Sequence, residues 1–123
     1  MANQARILVF MALIGSILNV CAPSHASYTL DEWADAIYRA EGGHSATYLY
    51  GIRSVKYKDE AEARQICKNT IYNTLIKYRE SRCKEGEDDL SCLSRRYAPI
   101  NADNDPKGLN ANWKKNVKYW IER

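Results

Sequence analysis

The feature that most constrains this chain is the stretch "DEAEARQICKNTIYNTLIKYRESRC", residues 59–83, where Ala63, Ile66, Cys67, Thr70, Ile71, Thr74, Leu75 and Tyr78 recur three and four residues apart. That period lays one apolar stripe along a helix and is incompatible with a strand, whose faces alternate every second residue. Asp59 and Glu62 stand at the spacing of a helix cap. The stretch therefore predicts a long central helix around which the rest must pack.

Three further segments read the same way. In "YTLDEWADAIYRAEGG", Thr29 and Glu32 have the spacing of a capping box, Leu30, Trp33, Ala34, Ile37 and Ala40 form the stripe, and Gly42 and Gly43 supply a left-handed stop. "DDLSCLSRRY" predicts a shorter helix beginning near Asp88. "NANWKKNVKYWIER" predicts a last one with Trp113, Val117, Trp120 and Ile121 inward, after the Pro-, Asn-, Asp- and Gly-rich loop "APINADNDPKGLN". "ATYLYGIRSVKYK", rich in Tyr, Ile and Val around Gly51, predicts a small β-hairpin-like element after the first helix. The fold class expected is mainly α, with four to five helices and that one β-like element, and without repeats or linkers.

Ahead of this domain, residues 1–26 have the pattern of an export signal: Arg6, the apolar run "ILVFMALIGSILNVCA", Pro23, then "SHA" with small residues two apart. Cleavage after Ala26 would leave residues 27–123 as the domain and an exported chain, periplasmic or secreted, without stable membrane association; an uncleaved anchor is the alternative. Cys21 follows Val20, where a lipoprotein signal carries a small residue. The only Phe, Phe10, lies in this leader, so the core must rest on tryptophans, tyrosines and aliphatics.

Eighteen Lys and Arg stand against fifteen Asp and Glu, with Arg6 in the leader. So small a balance argues against a nucleic-acid partner, and "SVKYK" and "NWKKNVKYW" read as solvated faces with apolar stripes. In an oxidising compartment Cys83 and Cys92, flanking the charged turn "KEGEDDLS", are the expected bridge, and Cys67, on the central stripe, is left as a buried free thiol. Past the leader His44 is the sole histidine, so neither a Cys/His catalytic pair nor a zinc cluster is expected. No cofactor or metal is implied, and a monomer is expected.

Glu41 sets the functional question. It continues the first helix's apolar stripe four residues beyond Ile37 and sits at a helix C-terminus, whose partial negative charge disfavours a carboxylate. Either it is a solvent-facing helix-end residue, or apolar neighbours raise its pKa so that it stays protonated and donates to a glycosidic oxygen.

The residues "AEGG" at 40–43, "YLYGI" at 48–52, the "ARQICKNTIYNT" helix, and "RRYAP" with "NANWKKNVKYW" resemble the lysozyme-like superfamily, in particular small exported soluble-lytic-transglycosylase-like domains, and in their Glu-Gly…Tyr-x-Gly-Ile order phage-type lysozymes. The resemblance implies an α+β lysozyme-like fold and cleavage of peptidoglycan or a related N-acetylated glycan, with Glu41 as the catalytic residue. The chain departs from the pattern: Gly42 stands where many lytic transglycosylases have Ser, "GIRS" replaces Gly-Leu-Met-Gln, and no acidic residue lies between Glu41 and Asp59. A glycosidase using two carboxylates therefore lacks its second one. The implied reaction is lytic transglycosylation, in which one glutamate serves as acid and then as base. Tyr50, Ser54, Tyr97 and Asn112 are candidate substrate-binding residues, each with a structural alternative: Tyr50 and Tyr97 as core aromatics, Ser54 as a turn terminus, Asn112 as part of the last helix's first turn. A catalytically silent member of the fold that binds glycan or a partner protein is the competing expectation.

Overall fold

A computed structural model of the chain describes residues 27–123; the expected signal segment, 1–26, lies outside the described residues. Helix α1 spans Leu30–Ala40, α2 Glu60–Tyr72, α3 Arg79–Arg82, α4 Asp89–Tyr97 and α5 Trp113–Ile121. The domain is mainly α. The N-termini of α1, α2 and α4 are capped by side chains, and that of α5 is not: Thr29 Oγ1 accepts from the Glu32 amide at 3.2 Å while Glu32 accepts from the Thr29 amide at 2.7 Å, Asp59 accepts from Glu62 at 2.8 Å, and Asp88 from Ser91 at 2.8 Å. Such a cap contributes about 1 kcal/mol.

Helix α1 lies against α5 and α2 and forms the centre of the packing. Ile37, Ala63, Cys67, Ile71 and Val117 of these helices and Leu93 of α4 are fully buried in one core, together with Trp33 and Trp113. Burying a side chain of the Ile or Leu kind stabilises by roughly 1.5–3 kcal/mol, so these few positions dominate the stability of so small a core. No helix among the described residues is long and apolar enough to cross a membrane.

Two expectations are corrected. The central helix does not run unbroken to Cys83. After Tyr72 it widens into a π-type turn over Asn73–Lys77, closed by the Tyr78 amide donating to Asn73 O at 2.9 Å, and restarts as the short α3. The extra residue rotates everything beyond it, so Thr74 and Leu75 stay inside while Tyr78, expected inward, is 42% exposed. This rotation delivers Cys83 to Cys92, and the two are disulfide-bonded with Cα atoms 5.3 Å apart; Cys67 is free and buried.

The β-hairpin-like element is likewise absent: among the described residues there is no strand. Residues 43–51 form two 3₁₀ turns, Gly43–Ser45 and Leu49–Gly51, because Gly42, Gly43, Tyr50 and Gly51 all have positive φ, which curls the chain where a strand needs it extended. Tyr50 takes this left-handed geometry, φ 55°, despite its side chain. Its ring, 2% exposed and 5.1 Å from that of Tyr38, is a core plug whose burial offsets a strain of about 1–2 kcal/mol.

Candidate active site

Glu41 is the residue that closes α1. Its amide still bonds to Ile37 O at 3.0 Å, and Gly42, at φ 107°, turns the backbone away, leaving the side chain at the mouth of a cleft of about 660 Å³. The cleft is bounded by the 3₁₀ segment and its continuation to Val55, by Ile66 and Thr70 of α2, by Arg96 to Pro99 at the end of α4, and by the loop leading to α5.

Two contacts hold the carboxyl in place. The Trp113 indole Nε1–H donates to Glu41 Oε1 at 2.7 Å, joining residues 72 apart in sequence. On another side the Gly51 Cα presses against the carboxyl group: a methyl built there would lie 2.7 Å from Oε1, 2.8 Å from Cδ and 3.2 Å from Oε2. Gly51 is thus required twice, by its φ of 68° and by the carboxyl that occupies the place of a side chain.

Trp113 is itself positioned. Its ring stacks on Tyr97 with centroids 5.2 Å apart and planes 12° from parallel. The preceding loop is organised by Asp105, whose two oxygens accept from the Leu109 and Asn110 amides at 2.8 and 2.9 Å, and by Asn110 Nδ2 donating to Pro99 O at 2.9 Å. Tyr97 in turn donates its hydroxyl to Cys67 Sγ at 3.3 Å. A chain of contacts therefore runs from the α2 core through Tyr97 and Trp113 to Glu41.

The electrostatics follow from this packing. Burial pushes the Glu41 carboxyl above the usual carboxylate range, opposed by the Trp113 hydrogen bond and by the Arg53 charge. An indole N–H can only donate, so in the neutral acid Oε1 is the accepting oxygen and the proton resides on Oε2. Burial also raises the Tyr97 phenol well above its ordinary value and the Cys67 thiol to about 11, so Cys67 is no nucleophile near neutrality.

Neither a family model, nor a curated protein, nor a solved structure matches this chain. The site must be read from its own geometry.

Of the sequence-derived candidates, Glu41, Ser54 and Tyr97 line one cleft. Tyr50 does not: it is buried, and its hydroxyl accepts from Arg64 at 3.4 Å. Asn112 is exposed at the end of the turn before α5 and lines no part of the cleft, whereas Asn110 and Asn116 do. His44 is exposed in the first 3₁₀ turn, and Cys83, Glu87 and Cys92, whose ligand atoms lie within 4.8 Å of one another, offer no thiolate because the two sulfurs are bonded together. Among the acids that could have served as a second carboxylate, Asp59 caps α2 and Asp103 is exposed outside the cleft, while Asp105 lines it with both oxygens committed to backbone amides. Sequence reasoning assigned Trp113 to the core stripe and so missed its partner. The available signal was chemical: a buried indole N–H needs an acceptor, and an acid on an apolar stripe needs a donor.

Proposed function

We propose that this chain is a peptidoglycan-cleaving glycosidase of lysozyme-like, lytic-transglycosylase-like type, exported to the cell envelope or beyond, in which Glu41 acts alone as general acid and then base. The observation that carries this reading is the cleft-lining Glu41 carboxyl, raised in pKa by burial and aimed by the Trp113 N–H. A solvent-facing helix-end glutamate would have none of these properties.

In the proposed reaction Oε2 protonates the glycosidic oxygen as the C1–O bond breaks. The substrate's own N-acetyl oxygen stabilises the cationic C1, and the resulting Glu41 carboxylate removes the proton from the C6 hydroxyl as O6 bonds to C1. Proton and electron pair balance, Glu41 returns to its neutral form, and the product ends in a 1,6-anhydro sugar. The commitment of Asp105 to two amides leaves Glu41 as the acid in the cleft that is free to move a proton, which supports a single-carboxyl route.

Glu41→Gln keeps the shape and an oxygen that accepts from Trp113 but has no transferable proton. It is expected to fold and to lower wall-cleaving activity about 10²–10⁴-fold, read by mass spectrometry of muropeptides released from purified wall. A Glu41→Gln protein as lytic as wild type, or a wild-type protein without lytic activity, would overturn the proposal; the latter combined with glycan binding would identify the silent binder instead. Reducing ends in place of anhydro ends would keep the enzyme and replace capture by the C6 hydroxyl with capture by water.

A further inference from the structure

A second cavity, of about 910 Å³, lies at the other end of α1 from Glu41, among the N-terminal end of α1, α3, the loop closed by the Cys83–Cys92 bridge, the start of α4 and the end of α5. Its apolar part is made by Leu90 and Ile121, both partly buried against the core, and by Tyr28, whose ring meets that of Trp33 edge to face with centroids 5.6 Å apart. Its polar part is mostly acidic. Glu80, Glu85, Glu87, Asp88, Asp89 and Glu122 line it, six of the fifteen acidic residues of the chain, against Arg79, Lys84 and Lys118 of its eighteen basic ones. Arg79 pairs with Asp89, Lys118 with Glu122, and Glu87 with Arg95 from outside the cavity. Glu80, Glu85 and Asp88 then remain without an ion pair among the described residues, with Lys84 as the cation left beside them. In a chain that is slightly basic overall, the cavity is a local reversal of sign.

A concave surface with an apolar floor and a carboxylate rim is complementary to a ligand that is both cationic and apolar. The same rim repels the phosphates of nucleic acids and of anionic lipid surfaces, which removes both from consideration. The three carboxylates without an ion pair come from α3, from the bridged loop and from the cap of α4. A monoamine neutralises one such charge, whereas a chain with several cations reaches them together and lays an apolar side chain on the floor between them. We propose that this cavity docks a lysine- or arginine-rich segment of a partner protein, with an apolar side chain of that segment seated against Tyr28, Leu90 and Ile121 and its cations on Glu80 and Glu85. The cavity shares no lining residue with the Glu41 cleft, and the inference goes beyond the glycosidase reading without resting on it.

The test is titration of the full chain with synthetic peptides, read by calorimetry and by NMR shifts of the backbone amides. The probe repeats Lys-Lys-Leu-Gly; its controls carry Gln for Lys, Glu for Lys, or Ser for Leu, and spermine stands for a small polyvalent amine. The Lys peptide is expected to bind about tenfold tighter than the Gln peptide at about 0.05 M salt, a difference lost at about 1 M, where the screening length shrinks to about 3 Å. The Ser-for-Leu peptide should bind more weakly than the Lys peptide at both salt concentrations, because it leaves the floor uncovered. Shifts should centre on Gly86, Leu90 and Ile121 and leave Glu41 and Asn110 unmoved. Glu80→Gln with Glu85→Gln, two changes at exposed side chains whose folding is checked by the thermal transition, should weaken the Lys peptide about fivefold, as exposed ion pairs allow. Glu41→Gln should bind it as wild type does, so this inference and the glycosidase reading fail separately. Equal affinity for the Lys, Gln and Glu peptides, spermine bound as tightly as the Lys peptide, shifts centred on any other face, or no binding at all would overturn the inference.

Discussion

Replacing Gly51 by alanine tests the contact that holds Glu41, independently of any activity. Two costs arise. The new Cβ forces an L-residue to keep φ 68°, about 1–2 kcal/mol. It also sits 2.7 Å from Oε1, where ordinary contact begins at 3.4 Å, so the carboxyl must retreat by several tenths of an ångström. That retreat strains or breaks the 2.7 Å bond from Trp113 and leaves a buried indole N–H unsatisfied, a further loss of about 1–3 kcal/mol. Gly51→Ala should therefore cost roughly 2–5 kcal/mol in the wild-type background. In a Glu41→Ala background, where the carboxyl is gone, only the backbone strain of about 1–2 kcal/mol should remain. The coupling, measured by urea unfolding of the four proteins of the cycle, should be about 1–3 kcal/mol. At about 4–8 °C per kcal/mol for a domain of this size, thermal melting should show the same ordering. Where the single variant is still folded, wall cleavage should fall by less than the roughly 10²-fold expected of a misplacement of about 1 Å, because the carboxyl moves by only several tenths of an ångström. Equal costs of Gly51→Ala in the two backgrounds would refute the contact, whatever the activity does.

Trp113→Phe keeps the stack on Tyr97 but removes the N–H that lowers the Glu41 pKa, so the carboxyl should titrate at still higher pH, followed by carbon-detected NMR of labelled glutamate; an unmoved or lowered value would reject the assigned role. Thr74, buried in the π-type turn, has an Oγ1 without a hydrogen-bond partner, and Thr74→Val should stabilise by about 1 kcal/mol in urea unfolding, a loss of stability counting against the placement. Glu87 accepts from Arg95 Nε at 2.8 Å and from the Lys84 amide at 2.8 Å, and the Arg95 pairing holds its carboxyl down at about 2. Its folded-state pKa is depressed, so its contribution is present above the ordinary value of 4.5 and is lost as pH falls from there towards 2. Melting temperatures across that window should fall less steeply in Glu87→Gln than in wild type, and identical slopes would remove the pairing from the acid response.

By itself the sequence determined whatever is encoded over a few consecutive residues. Thr29 with Glu32, Asp59 with Glu62, and the start near Asp88 were legible because a cap is satisfied by an amide two or three residues away. The stripes of α1, α2 and α5 and the Cys83–Cys92 bridge across a short turn were legible for the same reason of proximity. The Tyr48–Val55 segment misled because β-like composition reports a side chain that fits a packed surface, and Tyr50 fits the core of a helical domain as a left-handed plug equally well. The π-type turn was invisible because the stripe of α2 continues past Tyr72 on paper, while the packing of Thr74 and Leu75 and the reach of Cys83 decide where the helix widens. The cleft belongs wholly to the tertiary structure. Glu41 meets Trp113 across 72 residues and Gly51 across a reversal of the chain, and no local pattern records that an indole N–H and a bare Cα will converge on one carboxyl. Desolvation is a property of that convergence: Glu41 was marked by its place on an apolar stripe, but its raised pKa exists only because elements distant in sequence exclude water from around it.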